Sequence, residues 1–348
     1  MTNLFQPALL AMAVLTAQEP QTFDLEQLHP RVHAAVVVPN PPHYAFANSL
    51  IVVGDSAVLV VDTQQSPGAA RALIRALPAV TDRPVRWIVN THWHADHVFG
   101  NAAWREAFPD VRIVGHRSLR SDVPERAAAY RDEQIEALPR AIRERETWLA
   151  EGRVNGEPLD AAARAAVGRS LDIRRRYLAE LSGLPIVPPD IVMDDTLTID
   201  LGGVTARLTH VGPAHTGGDL VVYVPDARIL AMGDLVEWGT PWLEGACVGG
   251  WAAALDRTTA MGADRILPSH GPVVGPEFLA LYRDLLAALA SRGPLQPFRD
   301  RFAAAGVGVG GAAGGGAAGG SSSAFDRLVA SVPSVTAAAE RAGACAPS

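Results

Sequence analysis

Apolar residues recur with two different spacings along this 348-residue chain, and the switch between them sketches the fold. Two β-patterned runs, 32–38 and 49–62, open the body. The second reads Leu50-Ile51-Val52-Val53 and then Ala57-Val58-Leu59-Val60-Val61, broken at Gly54-Asp55, which predicts a hairpin of buried strands. Ser66 followed by Pro67 caps and starts a helix whose Ala70, Leu73, Ile74 and Leu77 fall at helical spacing, and Pro78 ends it. The next strand, Val85–Val89, runs straight into Asn90-Thr91-His92, so whatever follows lies where a strand gives way to a loop. Residues 124–183 are rich in Arg, Glu and Ala, with Ile135, Leu138, Ile142, Leu149, Leu171, Ile173, Tyr177 and Leu181 at amphipathic intervals. Two or three helices are expected there, inserted as a solvated elaboration that caps one side of the fold; the alternative is a lid that shapes a pocket. β-patterned segments return at 196–200, 204–211, 220–224, 229–232 and 265–267. A last helix from Pro276 buries Phe278, Leu279, Tyr282, Leu285, Leu286 and Leu289 and stops at Gly293-Pro294. Strands, a helical insertion, then strands with flanking helices predict an α/β fold of two sheets layered between helices.

The ends read differently from this body, which spans 22–300. Residues 1–17 finish in an apolar stretch from Ala8 to Ala17, followed by polar Gln18-Glu19-Pro20. That outline is a cleavable secretory signal, lacking only the usual basic start, and it predicts a periplasmic or secreted protein, with the cytoplasm as the alternative. Residues 303–323 are almost entirely Gly, Ala and Ser and predict a flexible linker; 324–348 form a tail with one short apolar pattern.

Composition narrows the function classes. Hydrophobic residues are 48% and charged residues 19%, and beyond the N-terminus no apolar run approaches the roughly 20 residues of a membrane span. No integral span is expected in the mature chain. The net charge of −7 argues against a nucleic-acid partner. All 30 basic residues are Arg, so Schiff-base chemistry and a Lys-anchored phosphate loop are excluded. The two cysteines, Cys247 and Cys345, are too few for a disulfide framework or a cysteine-based structural zinc site.

The chemistry gathers in Asn90-Thr91-His92-Trp93-His94-Ala95-Asp96-His97, three imidazoles and a carboxylate within six positions. Shuffling would give this pattern in about one sequence in two thousand, so it is read as a metal motif. In an extended or turning segment His92 and His94 face one point, while Asp96 and His97 follow the bend and face a second. Each ion needs about four ligands. Candidates stand just beyond later β runs: His215 in Gly212-Pro213-Ala214-His215-Thr216-Gly217-Gly218-Asp219, Asp234 after Met232-Gly233, and His270 in Ser269-His270-Gly271. Asp62, at a strand end, is placed to orient a ligand imidazole from behind.

These motifs resemble those of the metallo-β-lactamase superfamily of metallohydrolases, over about residues 32–289. The resemblance implies a four-layer αβ/βα sandwich carrying a helical insertion. It also implies that His92, His94 and His215 hold one metal and that Asp96, His97 and His270 hold the second. Asp234 then bridges the two. The Gly-rich surroundings of His215 match the family pattern, so His215 is preferred over His210, which is assigned a structural role. His29, His33 and His116 are read as surface or core residues, and His43 as the same or as part of a loop over the site mouth.

Two zinc ions, with iron or manganese as substitutes, would generate a bridging hydroxide for attack on a small ester, lactone, thioester or amide, β-lactams included. Asp96 and Asp234 are the expected catalytic carboxylates, and a small molecule is the expected partner. The B1 metallo-β-lactamases carry Cys at the bridging position and a substrate-holding Lys; this chain has Asp234 and no Lys. Trp93, Phe99, Trp238 and Trp242 lie near the motifs, as pocket walls or as core. Two other classes remain open: a mononuclear iron oxidoreductase resembling the persulfide dioxygenases, and a non-catalytic metal-binding or carrier protein. The sequence gives no oligomeric state.

Overall fold

The computed structural model describes residues 21–307. Residues 1–17 expected to form a signal, 308–323 of the expected linker and the expected tail 324–348 lie outside the described residues. In chain order the N-terminal half holds β1 (Phe23–His29), β2 (Val32–Val37), β3 (Ser49–Val53), β4 (Val58–Val61), α1 (Pro67–Ala76), β5 (Val85–Val89), α2 (Ala95–Val98), α3 (Asn101–Ala107) and β6 (Arg112–His116). The insertion follows as α4 (Leu119–Asp122), a π-helical turn over Val123–Ala127, α5 (Ala128–Glu151), the short pair β7 (Arg153–Val154) and β8 (Glu157–Pro158), and α6 (Ala161–Leu181). The remainder is β9 (Ile191–Met193), β10 (Thr196–Asp200), β11 (Thr205–His210), β12 (Leu220–Val224), β13 (Ile229–Ala231), α7 (Val248–Thr259), β14 (Arg265–Leu267), α8 (Pro276–Ala290) and α9 (Gln296–Ala304).

Two sheets result. One has the order β1-β2-β3-β4-β5-β6-β9, antiparallel as far as β4 and parallel beyond it. The other, β10-β11-β12-β13-β14, is antiparallel except for its last pair. The period of two along each strand decides which layer a residue joins. Leu50, Val52, Leu59 and Val61 meet Leu208, Leu220 and Val222 between the sheets. Their neighbours Ile51, Val58 and Val60 turn the other way, onto Leu73 of α1 and Trp104 of α3. On the second sheet Val221 and Tyr223 face α7 and α8 through Trp251, Tyr282 and Leu286. Helix, sheet, sheet and helix thus form four layers, because the central strands are apolar on both faces.

Several predicted boundaries appear as expected. Ser66 caps α1, its hydroxyl accepting from the Ala69 N–H. The insertion comprises two long helices with a hairpin that the pattern did not show. Gly152 ends α5 in the left-handed conformation (φ 67°), and the Asp160 carboxylate caps α6. The insertion is more than a solvated cap: Leu119, Val123, Ala127, Leu138, Tyr177 and Leu181 pack with Ala95, Val98 and Phe99 of the motif segment. At the far end, α9 covers the first two positions of the expected linker, and Phe302 and Val307 are buried. Among the described residues, no helix is long and apolar enough to cross a membrane.

Candidate metal centre

Strand β5 ends at Val89 and delivers Asn90 to His97 to one edge of the sandwich. Asn90 and Asn101 exchange side-chain hydrogen bonds, and Asn90 also donates to the His97 carbonyl, which closes the motif on itself. His94 sits in extended backbone before the one-turn α2, so the chain turns between His94 and Asp96. His92 and His94 therefore face one point, and Asp96 and His97 another.

The later candidates reach the same edge from the second sheet: His215 beyond β11, Asp234 beyond β13 and His270 beyond β14. Gly233, at φ +55°, lets the chain pass Thr91, whose hydroxyl oxygen would lie 2.8 Å from a Cβ there. Two groups form, each with its donor atoms within 4.8 Å of one another. In the first, Asp234 Oδ2 lies 3.5 Å from His92 Nε2 and 3.3 Å from His215 Nε2, and His215 Nε2 lies 2.9 Å from His94 Nδ1. In the second, Asp234 Oδ1 lies 3.1 Å from His97 Nε2 and 3.5 Å from His270 Nε2, while Asp96 Oδ2 is 3.4 and 3.3 Å from the same two nitrogens. The two oxygens of Asp234 thus face different groups. All seven expected residues come together.

The donor set suits divalent cations. His92 Nε2 and His97 Nε2 are buried without a hydrogen-bond partner in the protein, an arrangement that is costly unless an ion accepts their lone pairs. Burial and the nearby His97 drive His92 well below the usual imidazole range, and burial pushes His94 down to about 4, so both are neutral donors at pH 7. Burial works to raise Asp96 and Asp234, but neighbouring imidazoles outweigh it and hold both carboxyls well below their usual range. Conversely, burial opposes charge on His97 and His270, yet the surrounding carboxylates hold both well above theirs.

Behind these groups lies a set of orienting contacts. Asp62 Oδ2 meets His97 Nδ1 at 2.8 Å, and the carboxylate also accepts from the Thr91 N–H and hydroxyl. The Thr91 oxygen lies 3.2 Å from His92 Nδ1, Ser269 donates to Asp234, and His270 Nδ1 donates to the Phe46 carbonyl at 3.1 Å. Asp62 is the residue expected from its strand-end position. Asn48 was missed: its amide donates to the carbonyls of Pro268 and Gly271, on either side of His270, at 2.9 and 2.7 Å. Glu237 was missed too. It is buried, and desolvation together with the charge of Asp234 raises its carboxyl to about 7.

The remaining histidines stay outside both groups. His210 stacks on His116 with ring centroids 4.0 Å apart, and its Nε2 reaches the Gly217 carbonyl. His29 accepts from the Arg31 N–H, His33 is half-buried on β2, and His43 lies against Gly68. Of the four aromatics, Phe99 and Trp238 are packing residues, the latter stacked on Phe278 at 5.1 Å. Trp93 lies against His94 and under the Arg126 guanidinium, 4.2 Å from its ring centroid, and Trp242 is 59% exposed.

Comparison with known proteins agrees with this architecture. The family model of the metallo-β-lactamase superfamily matches residues 45–270. A linear primary-alkylsulfatase from Pseudomonas sp. is 24% identical over 257 residues, covering 66% of this chain and 43% of the relative. A type 2 metallo-β-lactamase from Bacteroides fragilis is 30% identical over 108 residues, 29% of this chain and 43% of the relative. The chain thus spans less than half the length of either curated relative. Among solved structures, a metallo-β-lactamase from Pontibacter korlensis superposes with a TM-score of 0.50 at 20% identity, over 76% of this chain and 99% of that one, which shows a shared fold. With four layers, a motif at the sheet edge and a family match over most of the body, the chain belongs to the metallo-β-lactamase superfamily.

Proposed function

We propose that the chain is a metal-dependent hydrolase working with two divalent ions, zinc in the first instance, on a small ester, lactone, thioester or amide. One observation carries this reading: the carboxylate of Asp234 presents one oxygen to each of two complete donor groups. His92, His94 and His215 would hold one ion, Asp96, His97 and His270 the other, and Asp234 both. When bound, such a pair makes water nucleophilic near neutral pH and polarises the oxygen of the group under attack. Asp96, whose carboxyl stays ionised, is placed to accept a hydrogen bond from the attacking water and aim it. Asp62 keeps the His97 imidazole in the tautomer that leaves Nε2 free. Trp93, which packs against His94 beneath the Arg126 guanidinium, would offer apolar surface to a substrate beside the first group. The alkylsulfatase and β-lactamase relatives add sulfate esters and β-lactams to the substrates worth trying.

The test uses the full chain stripped of metal and then reloaded with zinc, iron or manganese. It is assayed on a panel of carboxylic esters, lactones, thioesters, alkyl sulfates and β-lactams. Hydrolysis restored by about two equivalents of metal, and lost in His94→Ala, is the expected result. Undiminished turnover in the stripped protein refutes the reading. A stable protein that binds metal and hydrolyses nothing in the panel favours a carrier.

A further inference from the structure

We propose that helix α6 of the insertion is a positioning element for the second metal group, acting through Tyr177, Tyr44 and the Phe46 carbonyl that orients His270. This rests on the two-ion reading above. The members of that group are not equally well held. His97 is fully buried with its Nδ1 on Asp62, and Asp234 receives the Ser269 hydroxyl. His270 is the most exposed of the four, with a quarter of its side chain accessible. Its Nδ1 is oriented by a backbone carbonyl, that of Phe46, in a segment between β2 and β3 that has no regular structure.

That segment is held at two points. On one side it is fixed to the body: Asn48 grips the His270 turn, and Gln64 donates to the Ala47 carbonyl at 2.7 Å. On the other side the contacts come from α6. Arg176 donates to the Pro42 carbonyl at 2.8 Å, and the ring of Tyr177 lies flat on Tyr44, centroids 4.0 Å apart and planes within 5°. Tyr177 is fully buried, packed with Leu181 and Phe99, so its ring presents a fixed platform. Tyr44 in turn packs edge-on against Phe46 at 4.9 Å. Phe46 therefore lies between a rigid anchor in the core and an anchor supplied by the insertion. Release of the second anchor frees the carbonyl, and His270 must then be ordered when the ion binds. Loss of such supporting contacts typically weakens metal binding about 10- to 100-fold. The ring contacts of His92, His94 and His215 are with one another, with Trp93 and His97 and with Trp251 of α7, so the first ion should respond far less.

The experiment titrates zinc into the stripped full chain against a chromophoric chelator, with native mass spectrometry for stoichiometry and cobalt absorption to report the ligand field of each ion. Wild type should take two ions. Tyr44→Leu should weaken the second about 10-fold and the first less than twofold. Arg176→Gln, which touches only the surface, should act in the same direction by a smaller factor. Tyr177→Phe keeps the stacked ring and should retain wild-type affinities. Wild-type affinities for both ions in the Tyr44→Leu, Arg176→Gln double variant overturn the proposal while leaving the two-ion reading intact. An equal weakening of both ions with a lowered melting temperature also overturns it, as general destabilisation. A wild type that takes only one ion overturns the two-ion reading and this assignment together.

Discussion

Asp62 and Asn48 do comparable work behind the site, yet only one of them is visible in the sequence. Asp62 stands at the end of an apolar strand, where a carboxylate has no packing reason to be, and its contact with His97 follows from that placement. Its backbone lies in the left-handed region at φ 62°, as does that of Gln64 at 83°, a geometry uncommon for side-chain-bearing residues that the surrounding contacts hold in place. Asp62→Ala is expected to lower the affinity of the ion bound by His97 by about 10- to 100-fold, read by zinc competition, with a smaller effect on the other ion. Asn48 carries no local signal, because its partners lie 220 and 223 residues away. Asn48→Ala leaves the carbonyls of Pro268 and Gly271 without that donor in a buried turn. A loss of about 1–3 kcal/mol in denaturant unfolding is expected, and a variant as stable as wild type would show that water replaces the amide.

At the scale of elements, the sequence displays what is periodic and long and hides what is short or mixed. β3 and β4 are legible as unbroken apolar runs buried on both faces, and α1 and α8 because their apolar spacing buries one face. β6 and β9 are not, since Arg112–His116 and Ile191–Met193 offer five and three residues, too few to separate two periodicities. α7 begins Val248-Gly249-Gly250-Trp251, and two glycines in its first turn mask a helix whose Trp251 is fully buried. The insertion was legible as helices but not as a neighbour of the metal motif, because an amphipathic pattern says that a face is buried without saying against what. The turn after β13 is a sharper case. Gly233 combines a positive φ with Thr91 in the space a Cβ would take, so Gly233→Ala must move either Asp234 or Thr91. Loss of most metal-dependent activity with only a modest drop in melting temperature is expected; wild-type turnover would show that the turn relaxes without moving the carboxylate.

The whole molecule places seven titratable groups from both sheets at one buried edge, and this couples metal loading to pH. In the metal-free protein His97 and His270 are held well above 6.5, burial opposing and the carboxylates winning, and His215 is raised as well, its hydrogen bond to Asp234 outweighing burial. A raised imidazole stabilises the fold below its unfolded value and loses that contribution as pH rises through the folded one. Asp96 and Asp234, held low, stabilise the fold above about 3.8 and lose that contribution as pH falls through their depressed values. These five groups therefore favour the metal-free fold at mildly acidic pH, where the carboxylates are ionised and His97, His215 and His270 gain protons, while His92 and His94, held low by burial, act the other way. Divalent ions need the opposite state of the imidazoles, since each ligand nitrogen must give up its proton. His92 and His94 are held low and are already neutral, whereas His97 and His270 are held well above the usual range, so the second group gives up more protons on binding its ion than the first. The apparent affinity of the second ion should thus fall more steeply per pH unit below neutrality than that of the first. Zinc should raise the melting temperature more at pH 8.5 than at pH 5.5. Calorimetry in two buffers of different ionisation enthalpy measures the protons released by each ion directly; equal release for both would mean that the seven groups do not divide between two ions as their geometry divides them.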